Sequence, residues 1–168
     1  MNQPYYTIDT LEPGRSIGFL VKRCGILMTR VAERRFGTKP VSFTQWFVLA
    51  TLSQYEHVSP TILSENTAYD MGALTRIVDG LESGHLVRRE RSKRDRRAVE
   101  IALTPEGRRC LQEGRHILVD LLNDLVTPYT RRELDMLIGL MQRLLLHLQD
   151  SDANPEAPAG RAPLRRVR

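Results

Sequence analysis

Between Pro13 and Phe36 the apolar positions Ile17, Leu20, Val21, Cys24, Leu27, Met28 and Val31 fall at steps of three and four. That spacing predicts one long amphipathic helix. Arg23, Arg30, Arg34 and Arg35 lie mostly off the stripe, and Gly37 followed by Pro40 stops it. Ser42-Phe-Thr-Gln45 has the spacing of a capping box, with Val41 and Trp46 placed for a hydrophobic staple. The helix it starts is expected to reach about Tyr55. Ser59-Pro60 reads as an N-cap with proline at the first helical position, opening a short helix to about Ala68. Asp70 caps a third helix, from about Met71 to Ser83, with Leu74, Ile77, Val78 and Leu81 on one side and Gly84 at its end.

The period then changes. Leu86 to Arg91 and Ala98 to Leu103 are short, β-branched and partly alternating, and the charged loop Ser92 to Arg97 joins them into a hairpin. Thr104-Pro105 opens a helix through Leu111, Leu118, Leu121, Leu122 and Leu125 that Pro128 breaks. Thr130-Arg-Arg-Glu133 is a second capping box, before a last helix carrying Leu134, Leu137, Ile138, Met141, Leu144, Leu145 and Leu148. Residues 1–12 read as an arm, and the Ala-, Pro- and Gly-rich residues 150–168 as a disordered tail with terminal arginines.

Composition narrows the class. At 168 residues and 41% hydrophobic, the chain can bury a core without disulfide staples. Its formal net charge is +5, and all but three of its 25 basic residues are arginine, which suits planar recognition of phosphate and carboxylate. Two cysteines exclude a disulfide scaffold and a four-cysteine zinc site, and fit a reducing cytoplasm. The N-terminus has no signal-peptide pattern, and the apolar runs are too short to span a bilayer, so a cytoplasmic, membrane-free protein is expected. The four histidines show no metal-ligand spacing, and there is no phosphate-cradling glycine loop or nucleophile-base pattern. Neither an enzyme nor a metal or other cofactor is expected.

Three short helices followed by a hairpin form a helix-turn-helix with a wing. In such a unit the second helix of the pair enters the major groove of double-stranded DNA and the first braces it on the backbone. Here the candidates are Gly72, Ala73, Thr75 and Arg76 on the second helix, and Ser59 and Thr61 at the start of the first. Small residues let the helix sit deep, and Arg76 can fork onto guanine or grip phosphate. The wing is the densest signal: seven of the ten residues Arg88 to Arg97 are basic. Arg91, Lys93, Arg94, Arg96 and Arg97 suit the negative potential of a narrow minor groove, and Asp95 is expected to pair with a wing arginine.

Leu74-Thr-Arg-Ile-Val-Asp-Gly-Leu-Glu-Ser-Gly-His-Leu-Val-Arg-Arg, followed by Asp95-Arg-Arg97 and Leu103-Thr-Pro-Glu-Gly107, resembles the multiple-antibiotic-resistance regulator (MarR) family of bacterial transcription factors. The likeness extends over about residues 15–149. It implies a mainly α fold with a small β-hairpin wing, in which a winged helix-turn-helix (residues 42–104) is joined to a helical dimerisation region (residues 13–41 and 105–149) of an intertwined homodimer. It implies that Arg97 probes the minor groove or phosphate, and that a cleft between the lobes takes a small aromatic effector. Gly80 departs from the family pattern, where a bulky polar residue is frequent. Apolar stripes on the first and last two helices support the dimer independently, because one chain has too few other elements to cover them.

Three residues are candidates for the effector: Arg15 and Arg23 as partners of a ligand carboxylate, and Trp46 as a cleft wall or, equally, as core packing. Cys24, on the apolar stripe, is expected to be a buried small hydrophobe, with a redox sensor as the alternative; Cys110 is expected to be structural. The resulting expectation is a ligand-responsive repressor on a palindromic operator. The alternatives are a Cys24-based redox sensor of the same fold, and a winged helix that binds an acidic protein.

Overall fold

A computed structural model describes residues 4–37, 39–92 and 97–153. The elements run in the order α1 (Ile17–Phe36), α2 (Phe43–Leu52), α3 (Pro60–Thr67), α4 (Met71–Ser83), β1 (Val87–Arg91), β2 (Val99–Leu103), α5 (Pro105–Val126) and α6 (Arg131–Ala153), with a 3-10 turn at Pro13–Arg15 before α1. The fold is mainly helical with a two-stranded hairpin, as the hydrophobic spacing predicts. Three boundaries differ. The first helix begins at Ile17 because Ser16 is extended (ψ 121°) and caps it, taking the Phe19 N–H on its hydroxyl. The second ends at Leu52, where Ser53 caps it and its hydroxyl donates to the Ala50 carbonyl at 2.7 Å. The last continues to Ala153, past the expected start of the tail. Residues 154–168 lie outside the described residues.

Side chains close nearly every helix start. The first turn of α2 would leave four N–H groups unpaired. Gln45 donates to Ser42 Oγ at 3.1 Å and Ser42 donates to Gln45 Oε1 at 3.0 Å, completing the capping box. The Glu33 carboxylate of α1 takes the other two, from Phe43 at 3.0 Å and Thr44 at 2.9 Å. Asp70 caps α4 by accepting from Ala73 N–H at 2.9 Å. At α6, Thr130 N–H donates to Glu133 at 2.9 Å, which holds that carboxyl below its ordinary pKa.

The chain divides into two units, the first ending at Leu122 and the second starting at Asn123. In the first, one cluster of buried side chains joins α1 (Phe36), α2 (Trp46, Leu49, Leu52), α3 (Leu63), α4 (Leu74, Val78, Leu81), the hairpin (Val87, Ile101) and α5 (Leu111). Antiparallel β1 and β2 pair in the register Val87↔Leu103 to Arg91↔Val99. Val58 bridges the far side of Ile101, donating to its carbonyl at 3.1 Å and accepting at 2.8 Å, so the hairpin root is tied to the segment before α3. The α5 helix approaches this core through Gly114, where a Cβ would come within 2.1 Å of Trp46 Cδ1.

The second unit holds the end of α5 and α6. No described side chain of α6 is buried, although Met136, Leu137, Ile138, Leu140, Met141, Leu145, Leu146 and Leu148 lie along it. On α1, Ile17, Phe19, Leu20, Ile26, Leu27 and Met28 are likewise exposed.

The turn from α3 to α4 stores strain. Ala68 caps α3 in the left-handed region (φ 56°, ψ 23°), which is unfavourable for a residue with a Cβ. Ala68→Gly is expected to raise stability by about 0.5–1 kcal/mol, the relief of that strain exceeding the added entropy of the unfolded chain. Urea denaturation at fixed protein concentration measures it, and a loss of stability would contradict it.

Candidate nucleic-acid interface

The helix pair α3 and α4 is joined by Ala68, Tyr69 and Asp70, with Ser64 Oγ donating to the Tyr69 carbonyl at 2.7 Å across the turn. Leu74, Val78 and Leu81 turn one side of α4 into the core. The other side exposes Gly72, Thr75, Arg76 and Asp79, with Ala73 half-buried. Arg76 makes no hydrogen bond or ion pair with the described residues. Thr75 is less free than its sequence position implies: its hydroxyl donates to the Met71 carbonyl at 2.7 Å, so giving its proton to a phosphate means breaking that bond. Ser59 has the opposite disposition. It accepts from Ile62 N–H at 3.3 Å as the α3 cap, which leaves its proton to donate. Thr61, in the first turn of α3, is exposed.

Of the expected wing residues, Arg91 at the end of β1 and Arg97 just before β2 are exposed. Lys93, Arg94, Asp95 and Arg96 lie outside the described residues, and with them the expected pairing of Asp95. The basic run is not uniformly available. Arg88 pairs with Glu90, whose carboxylate also faces His57 Nδ1 at 3.6 Å. Arg89 is held by Asp79 and Glu82 of α4. Burial lowers the Arg89 pKa, but the hydrogen bonds to those two carboxylates more than reverse this and raise it. The sequence reading missed this triad.

The effector candidates are differently placed. Trp46 is 5% exposed, packs against Phe36 and Phe43, and donates its indole N–H to the Leu111 carbonyl at 3.0 Å. That is the core-packing alternative. Arg15 is exposed and lines a cavity of about 300 Å³ with Tyr5, Tyr6, Asp9 and Thr10 of the arm. Arg23 is exposed on α1. A second cavity, of about 290 Å³ with mainly apolar walls, lies between α3, α4 and the hairpin, bordered by Pro60, Met71, Thr75, Arg89, Val99 and Ile101.

Cys24 corrects an expectation: it is exposed rather than buried. Its stripe on α1 is apolar, but nothing in this chain buries it there. Cys110 is buried as expected, and burial, with Glu113 adding to it, pushes its thiol pKa up. Among the described residues no group of His, Cys, Asp and Glu could hold a metal ion, and no helix is long and apolar enough to cross a membrane.

Gly80 has a local reason. A Cβ there would come within 3.2 Å of Gln45 Nε2, the residue that closes the α2 capping box. A larger side chain would press on that contact.

Known proteins place this geometry. The family model described as MarR family matches residues 41–99, from the residue before the α2 cap to the first residue of β2. The HTH-type transcriptional regulator PapX of Escherichia coli is 32% identical over 117 residues, 68% of this chain and 71% of that protein. The multiple antibiotic resistance protein MarR of Salmonella typhimurium is 30% identical over 140 residues, 83% of this chain and 97% of its own. A solved structure of a mutant E. coli MarR complexed with operator DNA superposes with a TM-score of 0.69 at 25% identity, covering 77% of this chain and 93% of that one. With the helix pair, the hairpin and the flanking helices all matched, the chain belongs to the MarR family of winged helix-turn-helix, DNA-binding transcriptional regulators, which are not enzymes.

Proposed function

We propose that the protein is a homodimeric repressor of a pseudo-palindromic operator, released by a small aromatic carboxylate or phenol. The observation that carries the DNA face is Arg76. It is exposed and unpaired among the described residues, while the nearby Arg88 and Arg89 are held by carboxylates. In this reading α4 enters the major groove with Gly72, Ala73, Thr75 and Arg76 toward the bases. Ser59 and Thr61 hold the backbone, and the hairpin, with Arg91, Lys93, Arg94, Arg96 and Arg97, reaches the minor groove or the phosphates.

Residues 42–104 form the DNA-binding region, and residues 13–41 and 105–149 the dimerisation region. A leucine-rich α6 with no buried side chain among those described supports the dimer, because a solvated apolar face of that length marks an interface. Two-fold symmetry then sets two half-sites about 34 Å, one helical turn, apart.

For the effector, the cavity between α4 and the hairpin fits better than the residues around Trp46. Its walls are apolar, and Thr75 and Arg89 supply polar groups at its edge. An acid bound there would favour protein conformations that match the half-sites poorly. Linkage makes this reciprocal: operator DNA must weaken effector binding by the same factor.

The test is binding of the full chain to DNA upstream of its own gene, against a scrambled duplex of equal length, over a salt series. Tight, sequence-dependent binding that falls steeply with salt is expected, followed by release with benzoate-class acids. Equal, weak binding to both duplexes would favour an acidic protein partner instead. The exposure of Cys24 keeps one further reading open, a peroxide-sensing repressor, which requires that Cys24→Ser abolish a peroxide response.

A further inference from the structure

Arg89 belongs by sequence to the basic wing, yet its donors point back into the protein. Nη2 donates to Asp79 Oδ1 at 2.6 Å, Nη1 donates to Glu82 Oε2, and the backbone N–H donates to Glu82 Oε1 at 3.0 Å. Asp79 and Glu82 stand three residues apart on α4, so both present to the same strand. Arg89 pairs in register with Ile101, and Ile101 spends its own N–H and carbonyl on Val58. The hairpin is therefore held on both edges: β2 by Val58 and β1 by Glu82 and Asp79 of α4.

A two-stranded ribbon is marginal by itself, so such edge contacts decide where it points. Surface ion pairs add little to stability, so the arrangement matters for geometry more than for folding. DNA binding by this fold needs α4 in one groove while the hairpin reaches the adjacent one, and the angle between them must match the duplex.

We propose that Arg89 is a positioning residue: it touches no DNA, and with Asp79 and Glu82 it fixes the wing at the angle to α4 that operator binding requires. The proposal rests on the reading of α4 and the wing as the DNA face. The competing role, a phosphate contact for which Asp79 and Glu82 are incidental, predicts effects of the opposite sign. If Arg89 served phosphate, Glu82→Gln would free its charge and remove a negative one, and affinity would rise. If Arg89 is a strut, Glu82→Gln loosens the wing and affinity falls.

The experiment uses the full-length protein, and duplexes selected from a random pool by the wild type. Arg89→Lys, Arg89→Gln and Glu82→Gln are each expected to lose about tenfold in specific affinity, the value of one misplaced base contact. The slope of log K against log salt stays at the wild-type value. The double variant Glu82→Gln/Arg89→Gln is expected to be little worse than either single one, because both break the same link. Arg91→Gln, on the same strand, is the comparator: its slope should drop by about 0.9, as for one phosphate contact.

Hydrogen exchange on the DNA-free protein gives a readout that does not depend on the DNA face being correctly assigned. Amides of Val87 to Arg91 should exchange faster in Glu82→Gln and Arg89→Lys, with α2 and α3 unchanged. Tighter binding by Glu82→Gln, a slope reduced by about 0.9 in Arg89→Gln, or unchanged exchange in β1 would each overturn the proposal. Faster exchange with no selected duplex even for the wild type would leave the strut standing and remove the DNA-face reading.

Discussion

Trp46→Ala is expected to cost the fold about 3–5 kcal/mol, the range for truncating a large buried aromatic. The indole is 5% exposed, lies against Phe36 and Phe43, and anchors α5 through its N–H bond to the Leu111 carbonyl. Truncation therefore opens a cavity and removes a buried hydrogen bond that joins residues distant in sequence. The opposing surface is as specific. Gly114 lets α5 approach so closely that a Cβ would sit 2.1 Å from Cδ1 and 2.2 Å from Nε1 of the ring. Those atoms are part of a rigid buried ring, so Gly114→Ala forces either the ring or the helix to move. Overpacking of that kind costs about 1–3 kcal/mol. The two changes are coupled: once Trp46 is alanine, an alanine at Gly114 has space, and its cost should largely vanish. Urea or thermal denaturation of the four proteins at one protomer concentration measures the cycle, since dimerisation makes stability concentration-dependent. Additive costs would show that the ring and the glycine do not meet as described.

The residues that were legible in sequence are those whose physics is local. Ser42 and Gln45, Asp70 and its helix, and Thr130 and Glu133 each act within a few residues, so spacing alone reveals them. The α4 boundaries, Met71 and Ser83, follow from that cap and from Gly84. What escaped depends on elements meeting in space. Glu33 looks like a surface residue of α1 until the chain folds back and puts its carboxylate under the start of α2. Arg89 looks like one more wing cation until α4 and β1 lie side by side. Gly114 looks like a poor helix former until Trp46 arrives. Cys24 shows a further limit: periodicity identifies an apolar stripe, but not whether this chain or another covers it. The arginines of the wing tip were legible as charge alone, and charge says nothing about which of them a neighbouring carboxylate holds.

Arg76→Ala together with Arg97→Ala is expected to weaken operator binding by roughly 10²–10³-fold near physiological salt, the sum of one base-edge fork and one backbone or minor-groove contact. Both side chains are exposed, one on the outer face of α4 and one just before β2. The single variants separate the two roles. If Arg76 reads a guanine, Arg76→Ala relaxes the preference at one position of each half-site and hardly affects binding to random duplex. If Arg97 meets phosphate, Arg97→Ala weakens binding to both kinds of duplex and lowers the salt slope by about 1. Dimer symmetry doubles each effect, because both half-sites lose the same contact. Neither residue belongs to the buried cluster, so the melting temperature should hardly change and the loss can be assigned to the interface. Unchanged affinity in the double variant would mean that the outer face of α4 and the base of the wing are not where this protein meets DNA. The exposed arginines would then be available to an acidic protein surface instead.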